Sequence, residues 1–199
     1  MLLRVLLMVS CASFSVRAFG GLGTYIARRQ HIRSSLHASF STSVLCRTEL
    51  DIETLGRKLA SVCDIGDTIL MRGDLGAGKT TLARGFIRAK LEDEEMLITS
   101  PSYLLDNVYD YGPNQRIHHM DLYRLPPGCD MSMLGMPDIF TSCLCLVEWP
   151  QRMGDRNSNN YPKDFLDVNL NILGDESRKI ELIASTLSSS WEAKLKEIV

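Results

Sequence analysis

The octapeptide Gly73-Asp74-Leu75-Gly76-Ala77-Gly78-Lys79-Thr80 satisfies G-x-x-x-x-G-K-[ST], and it constrains the fold more than any other stretch of the chain. Small residues let successive backbone N–H groups turn inward around phosphate oxygens, and a helix starting at the end of the loop presents its positive N-terminal end to the same anion. The pattern therefore requires a strand before it and a helix after it. Thr68-Ile69-Leu70-Met71 is an apolar run of strand length, and Leu82, Phe86 and Ile87 recur at helical spacing behind the loop. Lys79 is then placed to reach the β- and γ-phosphates, and the Thr80 hydroxyl to ligate Mg²⁺.

The remaining elements are read relative to this loop. Ile52, Leu55, Leu59 and Val62 predict a helix over 49–63, with Thr48 or Asp51 as its cap. Ser100-Pro101-Ser102-Tyr103 follows the loop helix, and Pro101 keeps its neighbour extended. The hydroxyls of Thr99, Ser100 and Ser102 form either a switch segment facing Mg²⁺ and the γ-phosphate or an ordinary lead into a strand. Residues 104–109 and 116–120 predict a hairpin around a turn at 110–114, and residues 131–140 a loop or short helix. Residues 143–147 form the most apolar strand. Alternation over 165–172, a turn at 174–177 and residues 179–184 predict a second antiparallel hairpin, followed by a helix over 191–198.

Two acids close apolar strands: Asp121 after 117–120, and Glu148 after 143–147. A hydrolytic phosphate site needs one carboxylate beside Mg²⁺ and another to orient or deprotonate the attacking water. The pattern leaves open which acid does which. Adjacent His118 and His119 point to opposite faces of a strand and cannot chelate one ion together. Trp149 serves either packing or contact with nucleotide or partner.

Charge divides the chain near residue 48. Residues 1–48 hold six arginines and no acid, leaving 16 of the 22 Lys and Arg against all 24 Asp and Glu in the remainder, a formal −8. An acidic body argues against strong direct nucleic-acid binding, so RNA would be met only through a partner. Six scattered cysteines without framework spacing predict reduced thiols. No apolar stretch has the length of a membrane span. Residues 1–46 read as an N-terminal targeting extension, disordered or cleaved, and 47–199 as a single domain. A basic start, an apolar core over 5–16, Val16-Arg17-Ala18 and then Phe19 with an Arg/Ser-rich segment resemble bipartite plastid presequences, favoured here over a mitochondrial address.

The phosphate loop, Ser100-Pro101-Ser102-Tyr103, Met120-Asp121-Leu122-Tyr123-Arg124-Leu125 and Leu146-Val147-Glu148-Trp149-Pro150, in that order, resemble the TsaE (YjeE) family of tRNA threonylcarbamoyladenosine biosynthesis ATPases over residues 49–184. The resemblance implies an α/β P-loop NTPase fold with a mostly parallel central sheet flanked by helices and a C-terminal antiparallel hairpin. It implies ATP and Mg²⁺ as cofactors, and hydrolysis that is weak without partners. Those partners would be a TsaD-like threonylcarbamoyl transferase and a TsaB-like scaffold, with tRNA reached only indirectly. Gly73, Gly76, Ala77, Gly78, Lys79, Thr80 and Thr81 would bind nucleotide; Thr80, Asp121 and Glu148 are the metal-site candidates, and Lys79, Asp121 and Glu148 the catalytic ones.

The chain departs from the family pattern in three places. Ser102 replaces the usual Thr, His119-Met120 stands where an aromatic usually precedes the acid, and Pro126-Pro127-Gly128-Cys129 replaces an acidic helix start. Two other functions compete: a nucleotide-gated assembly module with little turnover, and a small P-loop kinase. The kinase would need an arginine-rich lid that the acidic body does not offer.

Overall fold

The computed structural model describes residues 40–158, 160–174, 176–185 and 189–198; the expected leader up to residue 39 lies outside them. In chain order the elements are β1 (Ser41–Cys46), α1 (Glu49–Val62), β2 (Thr68–Arg72), α2 (Lys79–Leu91), β3 (Asp106–Gly112), β4 (Gln115–Asp121), α3 (Ile139–Ser142), β5 (Leu144–Glu148), β6 (Leu166–Ile172), β7 (Arg178–Ala184) and α4 (Ser189–Ile198). The strands form one sheet in the order β1-β7-β6-β2-β5-β4-β3. Its four central strands, β6, β2, β5 and β4, run parallel, and both edges are antiparallel. This is the P-loop NTPase architecture expected from sequence, with its antiparallel C-terminal hairpin.

Alternation along the central strands separates two cores. Ile69, Met71, Leu144 and Leu146 face α1, α2 and α4, whereas Leu70, Cys145 and Val147 face α3 and the segment around Met131 and Tyr161. Strands buried on both faces are expected to read as continuous apolar runs, as β2 and β5 do. α1 starts at a complete capping box: Thr48 Oγ1 accepts from the Asp51 N–H, and the Asp51 carboxylate accepts from the Thr48 N–H. Gly85 of α2 lies against the backbone of α1, where a Cβ would stand 2.1 Å from the carbonyl oxygen of Glu53. No larger residue fits at this crossing without moving one helix.

Two boundaries differ from expectation, and the loop or short helix expected over 131–140 is met. Ser41–Cys46, counted with the extension from sequence, is a strand that pairs with β7 from Ser41↔Ile183 to Cys46↔Arg178. A short edge strand that starts Ser-Thr-Ser and buries only Cys46 fully carries almost no local signal, and its composition matches that of a leader. The first hairpin turns at Pro113 and Asn114, since Gly112 already pairs with Gln115 across a bulge; Asn114 takes the positive φ (59°) of the turn. Between β4 and β5 only a 3₁₀ turn (Ser132–Leu134) and the four-residue α3 form, in keeping with the prolines and glycine at 126–128. Among the described residues no helix is long and apolar enough to cross a membrane.

Candidate functional site

The carboxyl ends of β2, β5 and β4 lie side by side, and the phosphate loop leaves β2 at that edge. Ligands of open α/β sheets bind at this end of the parallel strands. Gly78 ends the loop with φ 103°, a conformation that residues with a Cβ rarely adopt, and α2 starts at Lys79. The turn before it is closed by the Ala77 N–H donating to Asp74 O at 3.1 Å.

Lys79 is buried and folds back over the loop. Its ammonium donates to Gly73 O at 2.9 Å and Asp74 O at 2.8 Å, and sits 4.2 Å from the ring centroid of Trp149. Burial pulls its pKa below the usual lysine range, and the charges of Glu148, Asp121 and Asp74 push the other way. A phosphate offers a charge-assisted bond where these carbonyls offer only dipoles, so Lys79 has a stronger partner available than the ones it holds. Trp149 itself has positive φ (59°) and packs against Tyr123 with ring centroids 4.8 Å apart. A non-glycine residue in this region is strained, and such residues cluster at functional sites.

Asp121 and Glu148 are register partners on adjacent parallel strands and are 5% and 2% exposed. The structure separates their surroundings. Glu148 Oε1 accepts from the Thr80 hydroxyl at 2.8 Å and lies 2.9 Å from His119 Nε2. Asp121 Oδ2 accepts from Ser100 Oγ at 2.6 Å, and Oδ1 from the Tyr123 N–H at 3.0 Å. The Ser-Pro-Ser-Tyr segment thus reaches the site through Ser100, while Thr99 is exposed.

The donor set suits a hard divalent cation held at few points. Among the described residues no group of three or more His, Cys, Asp or Glu is placed to hold a metal. Thr80 and Glu148 are the oxygens at hand, with phosphates and water to complete the shell, as Mg²⁺ prefers. The bond between them also fixes direction: a hydroxyl that gives its hydrogen to Glu148 keeps its lone pairs for the cation.

Most of the expected residues converge here, but not all through their side chains. Thr81 Oγ1 bonds Glu49 Oε1 of α1 at 3.1 Å, so only its backbone N–H is available to the loop. Gly76 contributes its carbonyl, which accepts from Arg178 of β7 at 3.2 Å. Sequence reasoning missed His119. Its alternation with His118 was legible, and His118 indeed faces away to Asp106 at 2.7 Å, but the acid that His119 meets follows from strand register. It also missed a network behind the loop: Arg72, just before Gly73, donates to Asp167 at 2.8 Å and to the Tyr161 hydroxyl at 3.0 Å, and that hydroxyl donates to Pro150 O at 3.1 Å. Arg156 closes Asp167 from outside at 2.7 Å. The network ties the start of the phosphate loop to the turn that follows Trp149.

Comparison with known proteins places relatives beside this geometry. A family model described as "Threonylcarbamoyl adenosine biosynthesis protein TsaE" matches residues 46–180. The "tRNA threonylcarbamoyladenosine biosynthesis protein TsaE" of Haemophilus influenzae is 36% identical over 119 residues, 59% of this chain and 70% of that protein. The Rickettsia felis protein of the same name is 30% identical over 147 residues, 74% of this chain and 82% of its own. A crystal structure of Bacillus subtilis YdiB shares the fold, with a TM-score of 0.63 at 22% identity, covering 80% of this chain and 95% of the other.

Proposed function

This chain belongs to the TsaE family, and from that premise we propose that it is a Mg-ATP-binding and -hydrolysing accessory subunit for threonylcarbamoyladenosine modification of tRNA. The observation that carries the hydrolytic part is the 2.8 Å bond between Thr80 and Glu148 beside the phosphate loop. It pairs the loop hydroxyl with an acid at the end of the adjacent strand, as a Mg-nucleotide site requires.

In this mechanism the loop amides and the N-terminus of α2 hold the phosphates, and Lys79 leaves Gly73 and Asp74 to neutralise the β- and γ-oxygens. Thr80 and Glu148 would hold Mg²⁺, which would supply further neutralisation of the phosphate oxygens when bound. Asp121 is left to orient the attacking water, and Ser100 and the Tyr123 N–H keep its carboxylate aligned. Water oxygen bonds to the γ-phosphorus, the bond to the β–γ bridging oxygen breaks, one water proton stays on the released phosphate and the other passes by way of Asp121 to solvent, and ADP and hydrogen phosphate leave. On this reading the two acids divide by their partners: Glu148 would serve the metal and Asp121 the water.

A TsaD-like transferase and a TsaB-like scaffold are the proposed partners, and tRNA is met through them. We also propose that residues 1–39 address the chain to an organelle, plastid before mitochondrion. Fusing residues 1–40 to a fluorescent protein tests this, and cytosolic fluorescence overturns it.

The function itself is tested by turnover of the full chain with both partners, comparing wild type and Glu148→Gln. Loss of ATP hydrolysis together with loss of tRNA modification is expected. Modification that continues without hydrolysis overturns the enzyme in favour of a nucleotide-gated assembly module.

A further inference from the structure

His119 is fully buried on β4, on the face that carries Asp121 toward α2. Its Nε2 lies 2.9 Å from Glu148 Oε1, the oxygen that also accepts from Thr80. A carboxylate only accepts, so Nε2 carries a proton and donates it. Its Nδ1 is buried and has no partner among the described residues. A buried imidazole with one nitrogen unsatisfied is a poor choice for packing, because an apolar side chain fills the same space without the desolvation cost. What His119 offers that Leu or Phe does not is the single bond to Glu148.

We propose that His119 is a positioning residue for the metal site. Its Nε2–H pins Glu148 Oε1 from the sheet side, so that this oxygen stays turned toward α2 as the acceptor for the Thr80 hydroxyl. Thr80 then keeps its hydrogen on Glu148 and its lone pairs on the side where the cation binds. Without the second donor, the carboxylate can rotate about its terminal bond, a broad and soft torsion, and the hydroxyl loses its fixed direction. Two donors on one oxygen of Glu148 also leave Oε2 as the less committed oxygen. His118, one residue earlier, cannot substitute, since it faces the other side of the sheet and is bonded to Asp106.

This rests on the Mg-nucleotide reading above, and the test separates the two. Calorimetric affinity of the full chain for ADP is measured with Mg²⁺ and with EDTA. Wild type is expected to bind more tightly with Mg²⁺; if it does not, the nucleotide-metal reading falls and this one falls with it. His119→Phe keeps a ring and removes the donor. Its Mg²⁺ enhancement is expected to drop about tenfold, the scale of one hydrogen bond to a charged group, with affinity in EDTA unchanged.

His119→Gln carries an amide N–H at the reach of Nε2 and is expected to recover the enhancement; His119→Asn, one methylene shorter, is not. Equal enhancement in the Gln and Asn variants overturns the proposal, and so does full enhancement in His119→Phe. A second readout needs no ligand: side-chain ¹H–¹⁵N spectra of wild type are expected to show His119 with its proton on Nε2, in a resonance that shifts in Glu148→Gln. A proton on Nδ1 alone overturns the assignment.

Discussion

Thr80 Oγ1, in the first turn of α2, and Glu148 Oε1, at the end of β5, are 2.8 Å apart and joined by a hydrogen bond. Thr80→Val keeps the shape and removes the hydroxyl. ATP turnover with partners present is expected to fall about 10²-fold, the usual cost of losing one preorganised polar group at a reacting centre. ADP affinity measured in EDTA should stay at the wild-type value, because the loop amides are untouched. A variant that turns over ATP normally would remove Thr80 from the metal site.

The crossing of α1 and α2 is the most sterically demanding contact behind the loop. Gly85→Ala puts a Cβ 2.1 Å from Glu53 O, which is backbone and cannot rotate away. Overpacking of this kind costs about 1–3 kcal/mol, to be read from urea unfolding. Nucleotide affinity is expected to fall with it, since α2 carries Lys79 and Thr80 at its first turn. Gly112, which has no positive φ and whose Cβ would meet only the movable Gln115 side chain, is the control for a glycine change that meets no backbone.

Asp51 ties stability to acid. The Arg47 and Thr48 N–H groups, with the Thr48 hydroxyl, hold its carboxyl below the ordinary value of 3.8. A depressed folded pKa means that the contribution is complete above 3.8 and is lost as pH falls through the lower folded value. Asp51→Asn should therefore be less stable than wild type at neutral pH, and the two unfolding midpoints should converge in acid below 3.8. A gap that persists undiminished well below 3.8 would assign the cap to shape alone.

Thiol reactivity should follow burial. Cys63 and Cys145 are buried and their thiols are pushed well up by desolvation, whereas Cys129 is partly exposed. Under native conditions N-ethylmaleimide should label Cys129 first among the described cysteines, read by peptide mass mapping, with Cys63 and Cys145 labelled only as the protein unfolds.

How much of this was legible in sequence depends on whether a feature is local. The phosphate loop is a contiguous pattern, so its strand and helix could be placed within a residue or two, and Leu82, Phe86 and Ile87 are all fully buried as their spacing required. Asp121 and Glu148 were legible as acids ending apolar strands. Their different partners were not, because Thr80 and Ser100 reach them across the sheet edge from other elements. Thr81 belonged to the motif, yet its hydroxyl is taken by Glu49, a partner 32 positions away. His119 and the Arg72–Asp167 pair depend on strand register and order, which no short window encodes. β1 was missed for a related reason: what makes Ser41–Cys46 a strand is β7, at the far end of the chain.

The placement of Trp149 over Lys79 makes the site readable by light. Of the two tryptophans, Trp191, within α4, is 1% exposed in the core, whereas Trp149 holds the ammonium that phosphate would draw away. Emission from Trp149 should therefore change when nucleotide arrives, and Trp191 should supply a constant background. Trp149→Phe should abolish the change while Lys79→Met abolishes its cause. A titration of the unlabelled protein can then report the movement of one side chain.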